Sequence, residues 1–312
     1  MTRPECETND DLVSRLHLAN YEVQHRRNWY SLVAGVLAVA IAAFVVQGLA
    51  RNSAIEWTEV GHYLFSSQIM SGVRLTIVLT ALSMAIALLI GVVIALMRLH
   101  RNALLRRIAH TWILFFRGLP ILVLLTITFN FGLLYSHVGF GVPFGPTFAS
   151  VDTRTLVTPF VAALAAFALN ESAFSAEIFR AGILAVPQGQ REAGKALGMP
   201  PAMIFFKVVA PQAVRFAIPP LTNNLINLLK GTALVSIVGV FDLMYSAQAI
   251  YQSNYKVMPL LTVAAIWYIV IVSVLSGFQY WLERWLSGKV HSRNARSAIW
   301  RRVKSRGAEV VR

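Results

Sequence analysis

The sequence of 312 residues is long enough for one large domain or two small ones, but its composition excludes an ordinary soluble protein. Apolar residues make up 56% of the chain, charged residues only 13%, and the mean hydropathy is +0.60. Because a soluble protein has about a quarter of its residues charged, much of this surface must face lipid. The single cysteine, Cys6, excludes a disulfide framework, a Cys-rich zinc site and an iron–sulfur cluster.

The net charge of +14 raises the question of nucleic-acid binding. The basic residues, however, flank apolar stretches and do not cover a folded polar domain. The tail Arg284–Arg312 has nine Lys and Arg residues, and we interpret it as a cytoplasmic segment facing anionic lipid, with a minor phosphate-binding role as the alternative. The expected partner of the surface is a lipid bilayer and not nucleic acid.

Six apolar stretches have the length of about 20 residues that a helix needs to cross about 30 Å of hydrocarbon. The third contains Pro120, and Pro219, Pro220 and Lys230 interrupt the fifth. The sequence therefore predicts an all-α, polytopic transmembrane bundle of about six spans. The predicted spans are Ser31–Ala50, Val73–Met97, Trp112–Tyr135, Leu156–Arg180, about Ala213–Val240, and Pro259–Leu286.

The loops between these stretches differ sharply in basic residues, which sets the orientation. Segments 1–30, 98–107, 181–212 and the tail from 283 carry four, four, three and nine Lys or Arg. The alternate segments 51–72, 136–155 and 239–258 carry one each. Both termini are therefore predicted in the cytoplasm. The Gly- and Pro-rich loop 136–155 is predicted as an irregular outer connection.

The segment between the fourth and fifth stretches predicts two short helices at an angle to each other. Gln188–Leu197 favours a helix, and Gly198 suits the left-handed residue that follows a helix end. The proline pair at 200–201 suits the start of the next helix, Ala202–Val209, which Pro211 is expected to end. These helices would lie at the inner face of the membrane.

The same segment carries a specific spacing. Glu192-Ala193-Gly194 is followed by three residues, Gly198, nine residues, and a Val-Val-Ala-Pro run that ends at Pro211. This spacing resembles the EAA loop of ABC importer permeases, Glu-Ala-Ala, three residues, Gly, nine residues, Ile-x-Leu-Pro. The departures, at Gly194, Val208 and Ala210, are small or apolar replacements. An ordinary amphipathic interfacial helix is the alternative for this segment.

Flanking runs resemble the polar amino-acid uptake branch of that family. They are Arg117-Gly118-Leu119-Pro120, Ala176-Glu177-Ile178-Phe179-Arg180, Gly189-Gln190, Pro211-Gln212-Ala213, Pro219-Pro220-Leu221 and Lys230-Gly231-Thr232. The resemblance implies a permease domain over 72–286 with a coupling loop at 187–212. It leaves outside an N-terminal segment 1–30, an additional first helix 31–50 and a basic tail 287–312.

The resemblance also implies the partners and the mechanism. The loop would dock on a separate ABC ATPase through Glu192, Ala193, Gly194, Gly198 and Pro211. A second permease subunit, identical or related, would complete the pathway, and a soluble solute-binding protein would deliver an amino acid or a similar polar solute. Such a subunit needs no cofactor, performs no covalent chemistry and lies in the bacterial inner membrane.

One motif match in the loop is misleading. Gly189 to Ala196 nearly fits the P-loop pattern G-x-x-x-x-G-K-[ST], but Ala196 replaces the hydroxyl residue that binds Mg²⁺. A P-loop also follows a strand, whereas a membrane helix precedes this segment. We therefore expect no nucleotide binding here, and ATP hydrolysis must occur on another polypeptide.

Polar residues inside the predicted spans are candidates for the solute pathway, because ionisable groups in lipid are costly unless they face a cavity or a partner. Glu171 and Lys230 can receive the ammonium and carboxylate of an amino acid. Alternatively, Glu171 pairs with Lys230 or with Arg117 inside the bundle. The pathway candidates are Asn170, Glu171, Ser172, Asn223, Asn227 and Lys230, with Asn224 at a helical spacing beside them.

Glu177 and Arg180 stand three residues apart and are predicted to form a structural ion pair. Two other functional classes remain at this level. A secondary, ion-coupled transporter usually has two repeated halves, which this sequence lacks. A membrane enzyme needs a catalytic constellation, and no metal-binding or nucleophile motif is present.

Overall fold

The computed structural model describes residues 29–141 and 147–309, with side chains described in 29–30, 32–139 and 150–286. The predicted N-terminal segment 1–30 lies almost wholly outside these residues, as do the side chains of the basic tail 287–312. The first helix, α1 (Trp29–Arg51), belongs to a separate unit, Met1–Ser53. Its side chains from Leu32 to Arg51 are all exposed, as expected for an apolar helix in lipid.

The second unit, Ala54–Arg312, contains the rest of the fold. Its longest helices are joined by short helical pieces. After a 3₁₀ turn at Ser53–Ile55 the helices are α2 (Trp57–Leu64), α3 (Ser67–Leu99), α4 (Ala103–Gly118), α5 (Ile121–Phe129), α6 (Phe131–Leu134), α7 (Thr153–Leu156), α8 (Pro159–Leu184), α9 (Gln188–Ala196), α10 (Pro201–Ile204), α11 (Ala210–Gly231), α12 (Leu243–Asn254) and α13 (Val257–Glu309).

Among the described residues, five helical segments are long and apolar enough to cross a membrane, and a sixth is obtained if the bent pair α4–α5 counts as one span. The helical fold is thus confirmed. The third span is not the single helix predicted at Trp112–Tyr135. Two helices meet there at an angle of 98°. Pro120 lies at the break, where it provides no N–H and its ring crowds the preceding turn. Pro219 and Pro220, which were expected to interrupt the fifth span, instead lie inside the continuous helix α11.

The core lies where α3 and α8 run side by side, with α5 and α11 against them. Alanines of α8, such as Ala163 and Ala166, are fully buried and let α3 approach closely. At Gly91 of α3 an added Cβ would lie 2.8 Å from the Cβ of Ser175, so only glycine fits there. Glu171 of α8 therefore lies on a helix whose position is fixed by close packing.

The fifth span begins earlier than predicted, and Pro211 does not end its helix. The helix runs from Pro201 to Val238 as α10, a π-helical segment at Phe205–Val209, α11 and a 3₁₀ segment at Thr232–Val238. In the π segment the N–H of Ala210 donates to the carbonyl of Phe205, five residues back. This wider turn makes room for the ring of Pro211, so the predicted stop becomes a local widening.

The loop 136–155 is more regular than predicted. It contains an antiparallel hairpin of β1 (His137–Gly141) and β2 (Thr147–Asp152), paired from His137 with Asp152 to Gly141 with Thr147. Gly139 and Gly141, expected in an irregular connection, are paired within the ladder with Ser150 and Thr147, and residues 142–146 lie outside the described part of the chain. The hairpin is a small addition to an otherwise helical fold.

Three helices meet at the start of α12, where the buried carboxylate of Asp242 bonds to two of them and the neighbouring backbone bonds to the third. Asp242 caps α12 by accepting a hydrogen bond from the N–H of Tyr245 at 2.9 Å, and the hydroxyl of Tyr268 on α13 lies 3.3 Å from its other oxygen. The N–H of Leu243 donates to Thr76 of α3 at 3.1 Å. Burial raises the pKa of the Asp242 carboxyl to about 6, although the hydrogen bonds oppose this.

A second contact links α2 to the start of α13. The Nζ of Lys256 lies 2.8 Å from Glu56 and 2.6 Å from Glu59. The hydrogen bonds that Lys256 donates to both carboxylates raise its pKa, so the lysine keeps its charge. The lysine thereby connects residues about 200 positions apart in sequence.

Candidate functional site

A small cavity between α8 and α11 brings together part of the predicted pathway set. Its volume is about 200 Å³. Two turns of α11 and the middle of α8 contribute the polar side chains of its wall. Aromatic and aliphatic side chains form the rest of the wall. The lining residues are Ile121, Phe167, Asn170, Glu171, Phe174, Asn224, Asn227, Leu228 and Gly231.

Glu171 is the charged residue of this cavity and is buried, with 7% of its surface exposed. One of its oxygens accepts a hydrogen bond of 2.7 Å from the Nδ2 of Asn224. Among the described residues no Lys or Arg forms an ion pair with it. A buried carboxylate that has an amide and no cation beside it can receive a cationic group from a ligand.

The predicted alternatives in which Glu171 pairs with Lys230 or Arg117 do not occur in this structure. The Arg117 guanidinium instead lies 4.9 Å from the centre of the Phe174 ring. Lys230 is exposed and does not line the cavity, because it lies about 100° around the helix from Gly231. The face of α11 that packs on α8 therefore excludes it.

Asn223, Asn227 and Lys230 instead form an exposed polar stripe along α11 at spacings of four and three residues. Of these, only Asn227 also lines the cavity. Polar groups of this kind inside a span require a polar neighbour or water. The stripe therefore requires contact with a partner or with water. It meets the cavity at Asn227.

Two further predicted candidates have structural contacts. The Nδ2 of Asn170 donates to the carbonyl of Phe116 at 2.7 Å while the residue lines the cavity. Ser172 is fully buried, accepts from the indole N–H of Trp112 at 3.1 Å and donates to the Leu169 carbonyl. Ser172 joins α8 to α4 and does not reach the cavity.

A larger cavity of about 610 Å³ adjoins the first, and the two share Phe174 and Asn224 as lining residues. Glu177 also lines the larger cavity and forms an ion pair with Arg180, 2.7 Å between nitrogen and oxygen. The ion pair is therefore present, while its structural role stays a prediction. Phe174 and Asn224 separate the buried carboxylate from the larger space.

The first of the two short helices predicted for the loop after α8 is present as α9, whereas the second is the start of the fifth span. Helix α9 ends in a Schellman motif, in which the N–H of Gly198 donates to Lys195 and the N–H of Met199 donates to Gly194. Gly198 has φ +71°, the left-handed conformation predicted for it. The helix direction after α9 is thus fixed by a local backbone motif.

The two faces of α9 differ. Gly194 is buried against Ile204, whose Cγ1 would lie 3.0 Å from a Cβ at this position. Glu192 and Ala193 are exposed, and Glu192 accepts a hydrogen bond from Gln188 at 2.7 Å. Pro211 is exposed further along, at the second residue of α11. The candidate docking residues Glu192 and Ala193 are therefore available to another protein.

Asn224 has a larger part in the cavity than the sequence predicts, and Arg191 and Phe174 are not among the predicted residues. Asn224 lies three residues before Asn227, so helical spacing could have placed both in one cavity. Arg191 donates from Nη2 to the carbonyl of Ile183 at 2.6 Å. The sequence signal for this contact is Pro187, four residues earlier, which lacks the N–H that would otherwise donate to the Ile183 carbonyl.

Comparison with known proteins assigns the chain to a family. Residues 87–288 match the family model of binding-protein-dependent transport system inner membrane components. The arginine transport system permease protein ArgU of Corynebacterium glutamicum is 38% identical over 264 residues, which cover 84% of this chain and 81% of that protein. The L-cystine permease protein TcyB of Bacillus subtilis is 36% identical over 237 residues, covering 76% and 93%.

A solved structure agrees. The crystal structure of an amino acid ABC transporter with histidines is 34% identical, has a TM-score of 0.60, and matches 70% of this chain and 93% of that chain. Subunits of this family are transport components and not enzymes, and a separate ATPase hydrolyses ATP. The chain belongs to the family of binding-protein-dependent transport system inner membrane components, as a permease subunit of an ABC importer.

Proposed function

We propose that this permease carries amino acids, or closely related polar solutes, and that the cavity around Glu171 is part of the path. The buried carboxylate without a cationic partner is the observation that carries the proposal. An amino acid brings an ammonium group that needs an acceptor, and Glu171 offers one at the end of an amide-lined cavity. The similarity to permeases named for arginine and cystine supports this class of solute.

The exposed stripe Asn223, Asn227 and Lys230 supports a second permease subunit. A single chain leaves these groups uncovered in a membrane span, whereas a second copy or a related chain opposite α11 encloses an aqueous path between them. Lys230 then offers a cation for the solute carboxylate from the wall of this path. Each chain thereby forms half of the pathway.

Coupling to the ATPase occurs through α9. Two of its exposed residues, Glu192 and Ala193, form the docking surface, while Gly194 lies close against Ile204 and Gly198 sets the turn. Nucleotide-driven movement of the ATPase displaces α9, and the displacement reaches Glu171 along the continuous helix α8. A soluble binding protein delivers the solute on the other side of the membrane.

The test is uptake of a labelled amino-acid panel by proteoliposomes that hold the complete importer with its ATPase and binding protein. Glu171→Gln should keep the hydrogen bond from Asn224 but lower uptake at least about tenfold, because the charge is lost. Glu283→Gln is the matched control, since Glu283 also accepts one amide hydrogen bond, from Gln279 at 2.9 Å. Unchanged uptake in Glu171→Gln would contradict the cavity's role.

A parallel measurement omits the ATPase. Uptake should then stop in the wild-type protein. If uptake instead persists and follows an ion gradient, the ion-coupled alternative is correct. If no amino acid is taken up although ATP-driven uptake of another solute is seen, the substrate class is wrong and the coupling proposal stands.

A further inference from the structure

Arg191 connects the docking helix to the helix that carries Glu171. Its Nη2 donates a hydrogen bond of 2.6 Å to the carbonyl of Ile183, eight residues earlier and in the last turn of α8. Arg191 is half-buried, whereas Gln190 and Glu192 beside it are exposed. Its side chain thus points back along the chain towards α8 while its neighbours face outwards.

The acceptor is a carbonyl that the helix itself leaves without a donor. In an α-helix the carbonyl of residue 183 would accept from the N–H of residue 187, but residue 187 is Pro187, which has none. Pro187 has extended geometry, with ψ 135°, and turns the chain from α8 into α9. The turn therefore leaves the Ile183 carbonyl without a backbone donor. The Arg191 guanidinium donates to it instead and places a positive charge at the negative end of α8.

Helix α9 is held to its neighbours by two contacts of different kinds. At its far end, Gly194 lies against Ile204, a contact between small and apolar groups that allows sliding. Near its start, the bond from Arg191 to Ile183 is short, directional and charge-assisted. Of these two contacts, only the hydrogen bond from Arg191 is directional and joins α9 directly to α8.

Helix α8 is unbroken from Pro159 to Leu184, and Ile183 and Glu171 lie on it twelve residues apart. A rigid helix transmits a rotation of its end to all its turns. On the basis of the function proposed above, we propose that Arg191 is a positioning residue that locks α9 to the end of α8 and so carries the ATPase stroke to the solute cavity.

The experiment measures ATP hydrolysis and uptake together in proteoliposomes with the complete importer. Arg191→Met should leave the ATPase bound and active but lower the solute transported per ATP at least about fivefold. Arg191→Lys, which retains a charged donor, should recover at least about half of the wild-type ratio. Lys195→Met, which removes a charge from an exposed residue of the same helix, should match the wild type.

A double variant separates positioning from simple satisfaction of a carbonyl. Pro187→Ala returns an N–H at residue 187, so Pro187→Ala/Arg191→Met can satisfy the Ile183 carbonyl without the guanidinium. If Arg191 positions α9, the double variant should transport much less solute per ATP than Pro187→Ala alone. Recovery to the level of Pro187→Ala would overturn the proposal, and this comparison remains valid where Arg191→Met alone fails to fold.

A spectroscopic distance provides a readout that loss of stability alone does not move. Spin labels at the exposed positions Leu184 and Ala196, introduced as cysteines into a Cys6→Ser background, report the geometry of α8 and α9. The distance distribution should broaden in Arg191→Met and narrow again in Arg191→Lys. Unchanged widths, or an equal loss of coupling in Lys195→Met, would contradict the assignment. Uptake that continues without the ATPase would contradict the proposed function instead.

Discussion

The Nδ2 of Asn170 lies 2.7 Å from the carbonyl oxygen of Phe116, the acceptor that Pro120 leaves without a helical donor. Residue 120 would normally supply the N–H for the carbonyl of residue 116, and proline cannot. An amide from α8 therefore donates to the broken end of α4, and it does so from the rim of the cavity that contains Glu171. The bend between α4 and α5 and the shape of the cavity thus depend on the same side chain.

Asn170→Ala should destabilise the bent pair by about 1–3 kcal/mol, because the Phe116 carbonyl, to which Pro120 cannot donate, loses the hydrogen bond from Asn170. Thermal unfolding of the purified protein in detergent measures this. Asn130→Ala is the matched control, since its Nδ2 donates to the Thr126 carbonyl at 2.9 Å while the backbone N–H of Asn130 also donates there. Equal unfolding temperatures for the two variants would contradict the structural role of Asn170.

Gly198→Ala should disturb the turn after α9, because φ +71° costs a residue with a Cβ roughly 1–2 kcal/mol. We expect the uptake driven per ATP to fall while the protein remains in the membrane. Gly189→Ala is the control, since Gly189 lies within α9, has open space around it and has no positive φ. A wild-type coupling ratio in Gly198→Ala would show that the turn does not matter for transport.

Gly91→Ala should force α3 and α8 apart, because the new Cβ would come within 2.8 Å of the Ser175 Cβ and 3.2 Å of backbone atoms. Overpacking of this kind costs about 1–3 kcal/mol. The unfolding temperature should fall, whereas Gly61→Ala, on the exposed face of α2, should leave it unchanged or raise it. A stable Gly91→Ala protein would mean that the helices can separate without loss.

The raised pKa of Asp242 predicts how the stability of the fold depends on pH. Its pKa rises from 3.8 to about 6 on folding, so the folded protein holds a proton in a range where the unfolded chain has lost it. Stability therefore falls as pH rises from about 4 to about 6, and the neutral form is favoured below this range. The other groups around the carboxyl, Thr76, Tyr268 and Ser246, do not titrate in this range.

The check is the unfolding temperature of the wild type and of Asp242→Asn between pH 4 and pH 7. Other carboxylates also titrate, so the difference between the two proteins is the relevant quantity. The wild type should lose stability relative to Asp242→Asn as pH rises through about 6, by roughly 2–3 kcal/mol in total. A constant difference across the range would contradict a buried carboxyl with a raised pKa.

The sequence was sufficient where the structure is determined locally. The turn at Gly198 and the extent of α9, predicted to Leu197 and observed to Ala196, follow from the order of helix formers, glycine and prolines. The positions of the apolar stretches followed from the hydropathy along the chain, and the count of six holds if the bent pair α4–α5 is one span. These features depend on residues close together in the chain, so a single sequence is enough to predict them.

The sequence was insufficient where distant segments decide the outcome. The bend at Pro120 and the continuous helix through Pro211 are both responses to proline, and they differ because Asn170 stabilises one break while a π segment relieves the other. Likewise, helical spacing suggests that Asn223 and Lys230 belong with Glu171. Packing of α11 on α8 placed Asn224 in the cavity and left those two residues exposed.

Site-specific crosslinking can determine whether α9 is the contact through which a separate ATPase drives the permease. A cysteine at the exposed position Ala193, in the Cys6→Ser background, should crosslink to the ATPase in membranes that contain the assembled importer. The yield should change when ATP is bound. Labelling of this cysteine only from the outer side of the membrane, or a crosslink to no ATPase subunit, would contradict the account.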